Sequence, residues 1–318
     1  MNRALIIGEG GQDGRLLFER LARQRCTLLG IGRDGASRSS ASIDARQYSM
    51  DIHDPSSVVR TVVSFSPDTI FYIAGYHHSA EDKLLPDDFE AYVRSHDVHV
   101  LGLLHLLEAI RQQAPRTRLF YAASSHCFGD PITNIQDETT PLRPLSLYGI
   151  TKTAGVLLCR RYRAFHAVAA SVGFLYNHES PLRSRNFLSM KIVEAAVEIS
   201  RGQRDKLVLG DLSARVDWGY AADYVDAMVR IVELPVVDDF VIATGQSHSV
   251  EEFVSIAFSR LELDWRRHVE IDPSVIVKRE PRLELIGDSS KLRALTNWSP
   301  SVTFQEMVEL LVDATVQR

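Results

Sequence analysis

The strongest constraint on this chain lies in its first two dozen residues. An apolar run, Ala4-Leu5-Ile6-Ile7, meets glycines at three-residue spacing, Gly8, Gly11 and Gly14, and the last of them opens an amphipathic stretch reaching residue 24. A strand that turns on glycines straight into a helix serves few purposes. The first glycine permits the tight turn, the second lets backbone approach a pyrophosphate, and the third lets helix and strand pack closely. The pyrophosphate would rest on the helix N-terminus, where free N–H groups and the macrodipole favour an anion. Gln12 and Asp13 stand in the same turn. The alternative is an ordinary strand–helix turn that binds nothing.

The rest of the chain supports the first reading. Apolar runs at 27–31, 69–74, 119–123 and 169–175 alternate with helical patterns at 55–65, 89–113 and 148–166. Such alternation predicts an α/β fold, a Rossmann-type doubly wound parallel sheet covered on both faces. After Tyr176 the pattern loosens, with helices expected at 187–201, 222–234, 250–261 and 304–315 and short strands at 207–209, 240–243 and 269–271. The expectation is a dinucleotide-binding domain over 1–175 and a smaller α/β substrate lobe over 176–318, interleaved so that part of 210–250 returns to the first domain.

The second strand runs into Gly30-Ile31-Gly32-Arg33-Asp34. An acidic residue here would bind the ribose hydroxyls of NAD. Arg33 comes first, and Ser37, Arg38 and Ser39 follow, a set that suits a 2′-phosphate and therefore NADP; Asp34 leaves NAD open, and a solvated surface arginine is the alternative. Asp51 and Ile52 are expected at the adenine edge, and Ala74 at the next strand end. A net charge of −5 implies no broad basic surface, so neither nucleic acid nor an acidic membrane is an expected partner. Three widely spaced cysteines form neither a disulfide framework nor a zinc pattern, and no apolar run approaches the ~20 residues of a membrane span. A soluble cytoplasmic protein is the expectation.

Tyr148 and Lys152 stand four residues apart at the start of a helix, about one turn, and so share a face. An ammonium beside a phenol favours the phenolate, which would make Tyr148 an acid–base for a sugar hydroxyl. Ser124 and Ser125 follow an intervening strand and offer a hydroxyl to the same oxygen. With the glycine turn, this set points to hydride transfer.

At this point the chain resembles the extended short-chain dehydrogenase/reductase superfamily over its whole length, and within it the GDP-mannose 4,6-dehydratase family. The resembling stretches are Gly11-Gln12-Asp13-Gly14, Asn177-His178-Glu179-Ser180-Pro181, Asp217-Trp218-Gly219, Ala222-Asp223-Tyr224-Val225, Ile242-Ala243-Thr244-Gly245 and His248-Ser249-Val250. The resemblance implies oxidation at sugar C4, loss of water across C5–C6 and return of hydride to C6, on a nicotinamide cofactor that stays bound. It implies a GDP-linked substrate contacted by His78, Asn177, Glu179, Asn186 and Lys191, with Arg215 and Arg279 as diphosphate clamps or surface ion pairs. It also implies a homodimer or homotetramer built on apolar faces of the helices at 98–110 and 148–166. Two positions depart from the pattern. Val216 stands where the family has the arginine before Asp-Trp, and the family's Arg-Pro-x-Glu is altered to Lys278-Arg279-Glu280-Pro281.

The largest departure is catalytic. The family's Ser-Thr-Ser-Glu reads Ala123-Ser124-Ser125-His126 here, so His126 stands where a glutamate takes the C5 proton and helps expel the C6 hydroxyl. Imidazole serves as acid or base near neutral pH. Dehydration, 4-keto reduction and epimerisation on the same scaffold all stay open, as do a His126 that only bonds within a pocket and a catalytically silent nucleotide-binding regulator. Cys127 is expected to face the core. His77, His78 and Asp82 lack a further ligand at metal spacing, and no metal is expected.

Overall fold

A computed structural model describes residues 1–33, 37–40, 43–76, 88–275 and 284–318. The first half builds β1 (Arg3–Ile7), α1 (Gln12–Arg23), β2 (Thr27–Ile31), β3 (Ser37–Ser39), α2 (Pro55–Phe65), β4 (Thr69–Tyr72), α3 (Asp88–His96), α4 (Gly102–Gln113), β5 (Arg118–Ser124), β6 (Ile135–Gln136), α5 (Leu147–His166) and β7 (Ala169–Leu175). The second half adds β8 (Asn177–Glu179), α6 (Leu188–Ser200), β9 (Leu207–Leu209), β10 (Arg215–Tyr220), α7 (Ala221–Glu233), β11 (Asp239–Ile242), β12 (Ser247–Ser249), α8 (Val250–Ser259), β13 (Val269–Ile271), β14 (Ile286–Gly287), α9 (Ser290–Thr296) and α10 (Phe304–Val316).

Seven strands form the main sheet in the order β11-β7-β5-β4-β1-β2-β3, all parallel except β3 at the edge. The inner strands are buried almost end to end, as a sheet covered on both faces requires. Chain order reverses between β1 and β4, so a crevice opens at their carboxyl ends, the usual ligand site of such sheets. Gly8 ends β1 there at φ +101°, and a Cβ on it would lie 2.7 Å from Ala74 N. Gly14 packs as closely on the other side of the turn: its Cβ would sit 2.4 Å from Gly8 O and 2.5 Å from Glu9 O.

The apolar interior divides in two. One cluster fills both faces of the main sheet and takes in Tyr224, Met228 and Ile231 of α7 and Phe240 and Val241 of β11. The other joins Met190, Val193, Trp218, Phe253, Phe258 and Leu311 beneath α6, α8 and α10. The chain therefore crosses from the second cluster back to the sheet at α7 and β11 and leaves again. Two buried carboxylates secure the crossings. Asp217 accepts bonds from the N–H groups of Thr244 (3.0 Å), Gly245 (3.1 Å) and Gly287 (3.2 Å) and from Thr244 Oγ1. Asp223 accepts from Ser301 N at 2.9 Å and from Ser301 Oγ.

Three features depart from the sequence-based expectation. The Ser37–Ser39 segment is an antiparallel edge strand on β2 rather than loop. The helix expected over 89–113 contains a five-residue π-turn, Asp97–Leu101, between α3 and α4. The strands β8, β10 and β12 form a three-stranded sheet that short polar stretches such as Ser247–Ser249 do not announce by alternation.

Gly14 and Gly10 of the turn should respond differently to a methyl group. Gly14→Ala forces a Cβ onto backbone and should cost about 1–3 kcal/mol in urea unfolding. A Cβ on Gly10 meets nothing within 4 Å, so Gly10→Ala should stay within about 0.5 kcal/mol of wild type.

Candidate active site

The carboxyl end of β5 and the first turn of α5 bring the chemistry together. Ser146 caps α5 by accepting the Gly149 N–H at 3.1 Å, and the same hydroxyl lies 3.4 Å from His126 Nδ1. Gly149 is tight against this segment: its Cβ would fall 2.5 Å from His126 O. Beyond β5 the chain makes one 3₁₀ turn, Ser125–Cys127, capped by Ser124 Oγ on His126 N at 3.2 Å. Ser124 Oγ is also hydrogen-bonded with the Tyr148 phenol. The His126 ring stands edge-on to Tyr148, centroids 5.7 Å apart. Ser125 and Cys127 are buried, and Cys127 belongs to the main core.

Lys152, one turn beyond Tyr148, is 2% exposed. Its ammonium donates to Ala122 O at 2.8 Å and Ala74 O at 3.3 Å and lies 5.8 Å from the Tyr148 ring centroid. Two strand ends thus hold the lysine. Burial dominates the electrostatics and corrects the expected direction for the phenol. Removal from water raises the Tyr148 phenol well above its ordinary value, against the smaller lowering effects of Arg183 and the Ser124 bond. The same desolvation lowers Lys152 to about 8. Both groups are driven toward their neutral forms.

The residues expected to hold a cofactor are placed as follows. Gly8, Gly11 and Gly14 form the turn, with Gly11 N bonded to Gly8 O at 3.1 Å, and Gln12 and Asp13 begin α1. Arg33 is exposed just past β2. Arg38, on β3, reaches back over the Phe18 ring and pairs with Glu9 Oε1 at 2.9 Å. Asp51 is exposed and accepts the His53 N–H at 2.9 Å. Ile52 packs beside Gly102, and its carbonyl lies 2.9 Å from His105 Nδ1.

On the second lobe, Asn177 and Asn186 are exposed, and Lys191 is half-buried in the first turn of α6. Glu179 is buried, its carboxylate taken by Ser189 Oγ at 2.7 Å and Arg183 at 3.3 Å. Arg215 is held by Ser247 and by Glu284 at 3.3 Å. His77, His78, Asp34 and Arg279 lie outside the described residues.

Sequence reasoning passed over His99. It is fully buried in the π-turn, edge-on to Tyr148 at 5.2 Å. Its Nε2 accepts the Tyr76 N–H at 3.0 Å, which places the ring proton on Nδ1, 2.8 Å from Thr151 Oγ1. It therefore ties the β4 end to the turn between Tyr148 and Lys152. The available signal was a histidine inside an apolar helical stretch.

The buried lysine gives a test by pH. Its folded value, about 8, lies below the ordinary 10.5, so between these values the unfolded chain binds more protons. Stability from this residue is present above 10.5 and is lost as pH falls toward 8. Chemical denaturation of cofactor-free protein from pH 8 to 10 should show wild type gaining stability relative to Lys152→Met; parallel curves would refute the buried, depressed ammonium.

Comparison with known proteins agrees with this geometry. The family model for GDP-mannose 4,6 dehydratase matches residues 5–311. GDP-mannose 4,6 dehydratase 2 of Arabidopsis thaliana is 35% identical, covering 99% of this chain and 87% of that protein. Among solved structures, RMD from Pseudomonas aeruginosa, complexed with NADPH, superposes at a TM-score of 0.84 with 19% identity over 100% of both chains. A dTDP-glucose 4,6-dehydratase from Bacillus anthracis, in complex with NAD, reaches 0.82 with 17% identity, covering 100% of this chain and 97% of that one. A match from near one end of the sequence to near the other leaves one conclusion: the chain belongs to the GDP-mannose 4,6 dehydratase family, enzymes of the extended short-chain dehydrogenase/reductase type.

Proposed function

We propose that the protein dehydrates a GDP-linked hexose to a 4-keto-6-deoxy sugar with NADP as an internally regenerated cofactor. The observation that carries the reading is the convergence of Tyr148, Lys152, Ser124 and His126 at the carboxyl end of the sheet that bears the glycine turn. A bound nicotinamide supplies the hydride acceptor at C4 and the donor at C6. Tyr148 would take the proton of the C4 hydroxyl as phenolate, the positive charge of an oxidised nicotinamide offsetting the burial that raises the phenol in the ligand-free protein, and Ser124 would hold the same oxygen. The C4 ketone acidifies C5–H; His126 would take that proton and protonate the departing C6 hydroxyl, which leaves as water, and the resulting C5=C6 double bond is filled by the hydride at C6 and a solvent-derived proton at C5. Lys152 sets the charge near the phenol.

Exposed Asn177 and Asn186, with Lys191, Arg215 and Arg279, would bind the nucleotide diphosphate and sugar, while His78 and Glu179 would complete the sugar side, Glu179 through Arg183. Arg33 and Arg38 would take the 2′-phosphate of NADP, Arg38 by exchanging Glu9 for it. Phe89, Tyr92 and Val93 on α3 and Ile150, Leu157 and Phe165 on α5 are exposed apolar residues of packed helices, a face suited to a homodimer or, doubled, a homotetramer. Within 98–110 Leu101 is exposed as well, whereas Leu103, Leu106, Leu107 and Ile110 of α4 are buried in the chain's own core. Three buried free cysteines suit a reducing, cytoplasmic setting, and no helix among the described residues is long and apolar enough to cross a membrane.

One observation favours a second reading. His126 replaces the family's glutamate, and 4-keto reduction needs only the tyrosine, lysine and hydroxyl. Mass spectrometry after incubation with GDP-mannose separates the two: the dehydratase loses one water and takes up solvent deuterium at C5. His126→Ala should slow water loss by about 10²–10⁴-fold and leave C4 redox chemistry largely intact. No water loss by wild type, with reduction of a 4-keto-6-deoxy sugar instead, establishes the reductase.

For the cofactor, removing a charge-assisted phosphate contact costs about 1.5–3 kcal/mol. Arg33→Ala should weaken NADPH binding by about tenfold or more and leave NADH nearly unchanged in fluorescence titration; equal losses would remove the assignment to NADP.

A further inference from the structure

The pair of half-buried Asp13 and buried His178 takes no part in the proton and hydride transfers above, yet it joins the glycine turn to the second lobe. Asp13 lies in the first turn of α1, where the free N–H groups face the crevice. His178 is the middle residue of β8 and is 8% exposed. Its Nε2 lies 3.0 Å from Asp13 Oδ2, and its Nδ1 lies 2.6 Å from Tyr176 O. A carboxylate on one nitrogen and a carbonyl on the other both accept, so both nitrogens donate and the ring is an imidazolium. The Tyr224 ring stacks on it, centroids 4.6 Å apart and planes 21° apart. Gln12 completes the seam, donating from Nε2 to His178 O at 3.1 Å and accepting from Ser180 Oγ at 2.8 Å. Burial opposes both charges, but each holds the other: Asp13 is carried below the usual carboxylate range and His178 above the usual imidazole range, with Arg183 aiding the first and opposing the second.

An acidic residue in the first turn of the helix that cradles a pyrophosphate is electrostatically misplaced unless its charge is cancelled. We propose that His178 is a positioning residue for the dinucleotide: its imidazolium cancels and fixes the Asp13 carboxylate beside the pyrophosphate cradle, so that cofactor affinity depends on a residue of the sugar-side strand. The inference rests on reading the crevice as a nicotinamide-dinucleotide site. It also makes the register of β8, which carries Asn177 two residues beyond the sheet-end Leu175, a condition of cofactor binding.

A double-mutant cycle read by NADPH fluorescence titration tests it without any sugar turnover. His178→Asn leaves the half-buried Asp13 carboxylate, still bonded by Gln12 Nε2 at 3.2 Å, without its cation next to the phosphates and should weaken NADPH binding at least tenfold. Asp13→Asn removes the repelling charge, and its own NADPH affinity is the reference against which the double variant is read. Adding His178→Asn to it should weaken NADPH binding by less than about threefold, because the charge that His178 cancels is gone. Near-UV circular dichroism of each variant reports packing, and the double variant, with no charge left unpaired, carries the test should His178→Asn fail to fold. Overturning results are His178→Asn binding as wild type does, or a folded double variant as weak as or weaker than that single variant, which would mark a merely structural role. Wild-type protein that binds neither NADPH nor NADH would remove the dinucleotide reading itself, a separate failure, and this inference with it.

Discussion

The site depends on one strand end. At Ala74, where the chain leaves β4, the amide is approached so closely by Gly8 that no side chain fits between them, while the carbonyl accepts the ammonium of Lys152. The same ammonium reaches Ala122 near the end of β5. A cofactor turn, a catalytic helix and two neighbouring strands are thus referenced to a few backbone atoms. This is why a parallel sheet with its order reversed between β1 and β4 serves: strand ends converge on a crevice, and helices enter it by their N-termini. His99 reinforces the arrangement from the other side, bonding the Tyr76 amide and the Thr151 hydroxyl at once.

Burial sets the resting charge of the site. Tyr148 and Lys152 are pushed toward neutrality by the same loss of water, which keeps the phenol protonated and brings the ammonium to about 8, still charged at neutral pH. The Asp13–His178 pair shows the opposite outcome. There desolvation is just as unfavourable, but direct contact and a second acceptor for the imidazole outweigh it. The difference is geometric. Lys152 is held by neutral carbonyls, whereas Asp13 and His178 hold opposite charges at hydrogen-bond distance.

The second lobe is less a bead than a fold-over. Asp217 and Asp223 spend buried carboxylates on backbone amides far along the chain, at Thr244, Gly245, Gly287 and Ser301, and so anchor the crossings between the two apolar clusters. Their reward is that β8 lies against the glycine turn, through Gln12, Asp13 and Ser180, with Asn177 exposed at its start. The glycine turn and the strand that carries Asn177 then share one seam.

What the sequence determined by itself was whatever depends on neighbours a few residues away. Glycines 8, 11 and 14 behind an apolar run, the mainly apolar strands at 27–31 and 169–175, the Pro55–Phe65 helix behind Asp54, and Tyr148 one turn before Lys152 are local patterns, and the structure keeps their bounds within two residues. Family resemblance rested on the same local strings and named the class of chemistry. Tertiary structure alone decided the rest. That the Tyr148 phenol is raised rather than lowered follows from enclosure, which no four-residue spacing records. That Glu179 turns inward to Ser189 and Arg183, that His99 lies against Tyr148 from a π-turn, and that Asp13 meets His178 across 165 positions are consequences of packing between distant segments. Short strands such as Ser247–Ser249 exist because Arg215–Tyr220 runs beside them, and their residues carry no pattern of their own. Local chemistry wrote the turn and the helix; only the meeting of remote strand ends could assign each side chain its partner and its charge.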